Sequence, residues 1–297
     1  MTLPRRRFLK IAAATLGAAS LPRAAGAAGW QGIAFGAEAA ITLRGGDPDR
    51  AQAAIAAALD ELRGAEAAFS LHDPASELAR LNATGALAPS PRFAALMADC
   101  DRAVALTGGL FDPAVQTLWP GSGGAGQPVP WSRLDRSRAD RITLARGQKL
   151  TFNGIAQGHA SDRVSAALSA FGYDQTLVDM GEIRAEGGPW HIGLSDPAAG
   201  LYGSRTLTGG ALATSSPSLL MLGPTRSHIL DPFDPDRAPL WSSVTVEAET
   251  ATLADALSTA ACHMERAALA ALLDREPDLR AVTLVDAAGN VATLRRG

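Results

Sequence analysis

Cysteine is almost missing from this chain: Cys100 and Cys262 are the only two in 297 residues. There is no Cys-x-x-Cys pair and no Cys/His spacing suited to zinc, which excludes a disulfide-built scaffold and a zinc ribbon. Whether the two cysteines pair in an oxidising compartment is left open by their long separation. Aromatic residues make up only 5%, so Ala, Leu and Val must fill most of the core. No G-x-G-x-x-G follows the first strand-like run and no G-x-x-x-x-G-K-[ST] occurs anywhere. Any nucleotide is therefore held in another way. A G-x-S-x-G elbow is absent too, which argues against a Ser-His-Asp hydrolase. After residue 27 no window reaches about 18 apolar residues, so no transmembrane segment is expected in the mature chain.

The first 27 residues, MTLPRRRFLKIAAATLGAASLPRAAGA, join a basic patch to a short apolar stretch and a small-residue site. That is the layout of an export signal. Arg5-Arg6 followed by one residue and Phe-Leu-Lys resembles the twin-arginine signal of bacteria. A soluble periplasmic protein, residues 28–297, is the expectation. Cleavage takes away five positive charges (Arg5, Arg6, Arg7, Lys10, Arg23) and no negative ones, so the formal charge falls from −3 to −8. An acidic surface argues against nucleic acid as a partner, because phosphate neutralisation needs a basic face.

Residues 30–44 read as one strand ending at Gly45-Gly46-Asp47-Pro48. Residues 49–67 carry Ile55, Leu59 and Leu62 at helical spacing. A short helix from Ser76 is closed near Asn82 and Gly85, and another runs from Pro91 to Leu106. Residues 119–130 (WPGSGGAGQPVP) read as a loop or mobile flap. Strand-like runs follow at 141–152, 175–180, 190–195, 204–214, 218–223, 228–231 and 241–247. A helix covers Leu253 to about Leu273, and a hairpin turned by Ala288-Gly289-Asn290 closes the chain. Helices early and strands late, without steady β-α-β alternation, favour an α+β fold with mostly antiparallel sheet.

Five segments carry candidate chemistry. NGIAQGHASD (153–162) is a glycine-rich elbow into a helix expected to start at Gly158, whose free N–H groups suit an anion. Asp162 also stabilises such a helix start by itself, and His159 is either a ligand-facing donor or a solvated first-turn residue. In LADALSTAACHM (253–264), Asp255 and Thr259 lie at i and i+4 on one face, opposite a core stripe of Leu253, Ala256, Leu257, Ala260 and Met264. Together they are hard oxygen donors of the kind magnesium prefers, or else a cap and a back-bonded threonine. His228 precedes Asp231-Pro232, a strand end closed in a turn. It reads equally as an acid/base group or as a buried structural histidine. In GGLFDPAVQTLW (108–119), Phe111 and Trp119 stack on a flat ring or simply pack. VDMGEIRAEG (178–187) reads as a strand, a glycine bulge and a short strand, with Asp179 and Glu182 lacking an obvious partner.

Taken in order, FSLHDPASELARLN, GGLFDPAVQTLW, NGIAQGHASDRV, LVDMGEIRAEG, WHIGLSDP, ALATSS, SHILDP and SVTVEAETATLADALSTA resemble the ApbE family of FAD:protein FMN transferases, over roughly residues 30 to 290. The resemblance implies an α+β, T-fold-like duplicated core with mostly antiparallel sheets flanked by helices. It implies Mg2+-dependent transfer of FMN from FAD to a threonine of an acceptor protein, with release of AMP. It implies metal ligands at the Gly154 carbonyl, Asp255 and Thr259. Flavin and adenine contacts are implied at Phe35, His72, Leu110, Phe111, Asp112 and Gln157, with His228 near the pyrophosphate. His228 and Asp255 are the catalytic candidates. A twin-arginine rather than lipoprotein leader is similar to the NosX type, which flavinylates a membrane partner in nitrous-oxide reductase maturation. The chain departs from the family's pattern at Gln157, at His159 (an aromatic position, expected to line the pocket), at Gly181-Glu182 and after Asp231. Two other readings remain: an Mg2+-dependent FAD pyrophosphatase and a periplasmic flavin-binding protein without chemistry.

Overall fold

A computed structural model describes residues 28–138, 140–223 and 226–296. The twin-arginine segment lies outside the described residues. The chain opens with strands β1 (Ala28–Ala34) and β2 (Ala37–Leu43), paired antiparallel in register Ala34↔Ala37. The expected single strand over 30–44 is therefore a hairpin. Its two-residue turn, Phe35-Gly36, has φ of 49° and 81°, the two positive values a type I′ turn requires. Phe in place of the usual Asn or Gly hides that turn from pattern reading.

Helix α1 (Pro48–Phe69) is capped by Asp47 and buries a narrow stripe from Ala51 to Phe69. The alanines on it let α1 lie close against a later helix. Ser76 caps α2 (Glu77–Thr84), which stops at Gly85 with φ 79°, and Ser90 caps α3 (Pro91–Leu106). These three helices stand where capping and periodicity place them. A small sheet orders β3 (Ala86–Leu87), β5 (Arg141–Thr143) and β4 (Asp135–Arg138). The run expected as a strand to residue 152 leaves the ladder after Thr143. Its backbone bonds go instead to loops: Leu144 N to the Gly85 carbonyl, Leu150 N to Asn82 Oδ1 and Thr151 N to the Pro113 carbonyl. The 119–130 loop is tied back by Ala125 N to Gly147 O at 3.0 Å.

Helix α4 (Ala156–Ala170) leads to β6 (Thr176–Asp179), β7 (Ile183–Asp196), β8 (Gly200–Ser215) and β9 (Ser243–Ala248). Helices α5 (Ala251–Ala261) and α6 (Arg266–Arg275) and the hairpin β10 (Leu279–Val285), β11 (Val291–Arg295) complete the fold. The main sheet has eight strands in the order β1-β2-β6-β7-β8-β9-β10-β11, every neighbouring pair antiparallel. The fold is thus α+β with mostly antiparallel sheet flanked by helices. Side chains alternate across it. Val178, Ala211 and Ala213 point into the large helix-covered core, while Ile183, Ala185 and Leu212 join Trp190 and Leu207 in a smaller cluster.

Three further expectations change. The 178–187 segment is a tight turn between β6 and a long β7, not a bulge before a short strand. Among the described residues, run 218–223 makes a single isolated bridge, Met221 to Ser227, and 228–231 forms no strand. The expected helix 253–273 breaks at Cys262, and Glu265 precedes the new start. Both cysteines are buried and free.

Candidate active site

The elbow at 153–162 meets helix α5, and the contact explains its glycines. A Cβ on Gly158 would run into the Ala251 carbonyl and sit 2.9 Å from Asp255 Cβ. Only glycine lets α4 and α5 approach this closely. A Cβ on Gly154 would lie 2.8 Å from Thr259 Oγ1, so the start of the elbow abuts the next turn of α5.

At this crossing each helix caps the other. Helix α4 starts at Ala156, two residues before the expected Gly158, and has no side-chain cap of its own. One of its open N–H groups, Gly158, donates to Asp255 Oδ2 at 3.1 Å. In return Asp162 of α4 accepts from Ala251 N and Thr252 N at 2.9 Å each, and from Thr252 Oγ1 at 2.6 Å. First-turn N–H groups need partners and the helix dipole favours a negative one. Asp162 therefore stabilises α5 rather than its own helix. Asp255 likewise caps α4, and it is Ser258, not Thr259, whose hydroxyl turns back onto the Asp255 carbonyl at 3.0 Å. Helix α5 has no separate core stripe: nine of its eleven residues are buried, as expected for a helix apolar all round.

A cavity of about 650 Å3 opens over this crossing. Its walls include Phe35, His72, Leu110, Phe111, Asp112, Trp119, Gly154, Gln157, His228, Asp255 and Thr259. The implied metal ligands and the implied flavin and adenine contacts thus all border one space. They arrive by different routes. Phe35 sits at the positive-φ corner of the β1–β2 turn, with its N–H held by Glu66 Oε1 at 2.8 Å. A bulky residue in that backbone region is strained, and such strain collects at binding sites. Gln157 Nε2 donates to the Met180 carbonyl at 2.6 Å, linking the elbow to the β6–β7 turn. Phe111 is held by its N–H on Thr107 Oγ1 at 3.0 Å.

Asp112 borders the cavity, yet both of its oxygens are engaged: Oδ1 accepts from Ala114 N at 2.7 Å and Oδ2 from Trp131 N at 3.0 Å. Burial pushes its carboxyl up to about 6, and these two N–H groups oppose the rise. His228 is pushed down by burial, against the carbonyls of Leu220 and Pro217, with Nδ1 3.0 Å from Leu220 O. Burial thus favours the uncharged ring. Asp231 is buried in a turn, accepting from Phe233 N at 2.8 Å and paired with Arg237 at 3.3 Å.

His159 is the clear correction. Expected to line the pocket, it is instead buried in the core, edge-on to Phe69 with ring centroids 5.8 Å apart. Its Nδ1 is 3.0 Å from Asp99 Oδ2.

The cavity also contains a residue that sequence reasoning left without a role. Glu182, in the β6–β7 turn, is buried within reach of the charge of Asp255, and its Oε2 has no hydrogen-bond partner. Burial first, then the charges of Asp255 and Asp179, push its carboxyl well up, offset in part by the Thr214 N–H. Asp255 is pushed up to about 7 by burial, with the Gly158 N–H opposing and Asp162 reinforcing. The available sequence signal was an acidic residue between two apolar strands.

These groups fit a hard divalent cation: buried carboxylates with unmatched charge beside the Thr259 hydroxyl and the Gly154 backbone. Among the described residues no group of three or more His, Cys, Asp or Glu is arranged to hold a metal. The donor set is mixed instead, with carboxylate, hydroxyl and carbonyl oxygens.

Solved structures share this fold. The ApbE protein of Thermotoga maritima matches with TM-score 0.78 and 24% identity, over 91% of this chain and 97% of that one. The flavin transferase ApbE of Vibrio cholerae matches with TM-score 0.76 and 20% identity, over 91% and 97%. The flavinyl transferase ApbE of Pseudomonas stutzeri, in its apo form, matches with TM-score 0.75 and 24% identity, over 90% and 95%. No curated protein sequence matches significantly. The ApbE family model matches residues 35–283, and the chain belongs to the ApbE family.

Proposed function

We propose that this protein transfers FMN from FAD to a threonine hydroxyl of an acceptor protein and releases AMP, in a reaction that depends on Mg2+. The observation that carries this reading is one cavity of about 650 Å3 that joins aromatic walls to a buried set of oxygen donors. That volume suits a substantial organic ligand, and the donors suit the cation that accompanies a pyrophosphate. Family membership and the likeness to flavin transferases of known structure support flavin transfer.

In the proposed step the acceptor threonine oxygen attacks the phosphorus on the FMN side of the pyrophosphate. The bond from that phosphorus to the bridging oxygen breaks, and AMP leaves with the bridging oxygen. Phosphoryl transfer of this kind needs positioning and charge neutralisation more than covalent help. Asp255, Thr259 and the Gly154 carbonyl are the residues that would hold Mg2+, which supplies charge neutralisation at the pyrophosphate when bound. Phe35, Leu110 and Phe111 supply flat apolar walls for rings, and His72 stands at the exposed rim. Gln157, already anchored on the Met180 carbonyl, holds the elbow still against the substrate. The threonine proton needs an acceptor. His228, which borders the cavity, is our assignment, with Asp255 as the competing candidate.

The twin-arginine segment supports export to the periplasm and a NosX-type role toward a membrane flavoprotein of nitrous-oxide reduction. Changing Arg5-Arg6 to Lys-Lys should retain the protein in the cytoplasm on fractionation. The main test incubates the protein with FAD, Mg2+ and an acceptor carrying a Ser/Thr-Gly-Ala-Thr-like segment, and maps the modified residue by mass spectrometry. FMN on the threonine, with stoichiometric AMP, is the expected result. Equal release of free FMN without acceptor would instead establish a pyrophosphatase, and intact bound FAD a carrier.

A further inference from the structure

Glu182 is more than nine-tenths buried and borders the cavity, and its Oε2 makes no hydrogen bond. The orphan oxygen is unusual. Two other buried carboxylates fill both oxygens: Asp112 with two backbone N–H groups, and Asp231 with two N–H groups and Arg237. A buried carboxylate without a partner costs free energy unless something not yet present completes it.

The surroundings specify what completes it. The charged neighbours acting on Glu182 are Asp255 and Asp179, both acidic. A hydrogen-bond donor alone would leave two adjacent carboxylates repelling each other, whereas a cation relieves both at once. Two neutral groups that border the same cavity and abut each other, the Thr259 hydroxyl and the Gly154 backbone, are oxygen donors as well. Oxygen-only sets of this composition select hard divalent ions.

We infer that Glu182 is a further carboxylate ligand of the divalent cation held by Asp255, Thr259 and Gly154, so that the site has two carboxylates contributed by separate elements. This rests on the proposed function in one respect, that Asp255 belongs to a cation site. Glu182 comes from the β6–β7 turn, which Gln157 ties to the elbow through the Met180 carbonyl. Cation binding would then lock that turn to α5 and the elbow together.

The test is Mn2+ titrated alone into the protein, with the free aqua ion followed by EPR, beside the thermal midpoint with and without Mg2+. Glu182→Gln keeps the shape and removes the charge. It should weaken Mn2+ at least ~10-fold, as loss of one carboxylate from such a site does. Without metal its midpoint should equal or exceed that of the parent, because a buried like charge is gone; the Mg2+-induced rise should shrink. Asp255→Asn separates the two levels. If Asp255→Asn abolishes Mn2+ binding while Glu182→Gln stays within about twofold of the parent, the inference falls and the proposed cation site stands. If the parent binds no Mn2+, both fall. A lower metal-free midpoint with unchanged Mn2+ affinity would make Glu182 a packing residue and overturn the inference.

Discussion

Two buried acidic corners border the same cavity and behave in opposite ways. At Asp112 the carboxylate is 8% exposed and each oxygen accepts a backbone N–H. At the Glu182–Asp255 corner, exposures are 9% and 3%, yet Glu182 Oε2 accepts nothing. Burial pushes all three carboxyls up, so burial alone does not mark a reactive site. The difference lies in what remains unmatched. The Asp112 corner is a finished piece of architecture that holds the start of the short 3-10 helix Pro113–Leu118 and Trp131. The other corner is incomplete in the protein alone, and an incomplete buried carboxylate is where a ligand has something to add.

The largest effect should come from Asp255→Ala, which removes a carboxylate from the incomplete corner. FMN transfer should fall at least ~10²-fold, measured as labelled acceptor per minute of folded protein, while the lost cap on the Gly158 N–H costs only about 1 kcal/mol. Loss of fold without loss of specific activity would erase the contrast. Next is Gly158→Ala, whose methyl meets the Ala251 carbonyl and Asp255. Overpacking of this kind costs about 1–3 kcal/mol and should appear as a lower urea midpoint. Asp112→Ala should cost a comparable ~1–3 kcal/mol for orphaned backbone donors, but leave Mn2+ affinity intact. That outcome separates the two corners directly.

A smaller effect is a pH dependence. The Asp255 carboxyl rises from 3.8 to about 7 in the folded protein, so the folded state binds the proton more tightly than the unfolded chain. Metal-free stability should therefore fall as pH rises through the window from about 4 to about 7. Asp255→Asn should lack that part of the slope in denaturant titrations at several pH values. Smallest is Asp99→Asn, which loosens the His159 contact at a half-exposed pair. It should cost no more than ~1 kcal/mol and leave transfer unchanged, in keeping with a histidine that packs in the core.

Local chemistry made much of the fold legible. Asp47, Ser76 and Ser90 each begin a helix where their side chains accept a first-turn N–H, and the β10–β11 hairpin turns where Gly289 allows it. Where local signals were weak, pattern reading failed for identifiable reasons. Phe35 at positive φ conceals a hairpin. Residues 144–152 turn at Arg146-Gly147, and the stretches on either side pair with loops distant in sequence. The break after Cys262 carries neither proline nor glycine.

The site divides along the same line. The order of segments identifies the family from residues alone, and Asp255 and Thr259 at helical spacing with the glycines of the elbow supply the proposed oxygen donors, because each segment depends on neighbours within a few positions. Only the tertiary structure shows that Asp162 caps the other helix, that His159 faces Phe69 and Asp99, and that Glu182 stands unmatched beside Asp255. Those relations join residues about 60 to 90 positions apart, across a crossing that exists because Gly158 has no side chain. Sequence specifies which groups are present, while packing decides which of them are left without a partner.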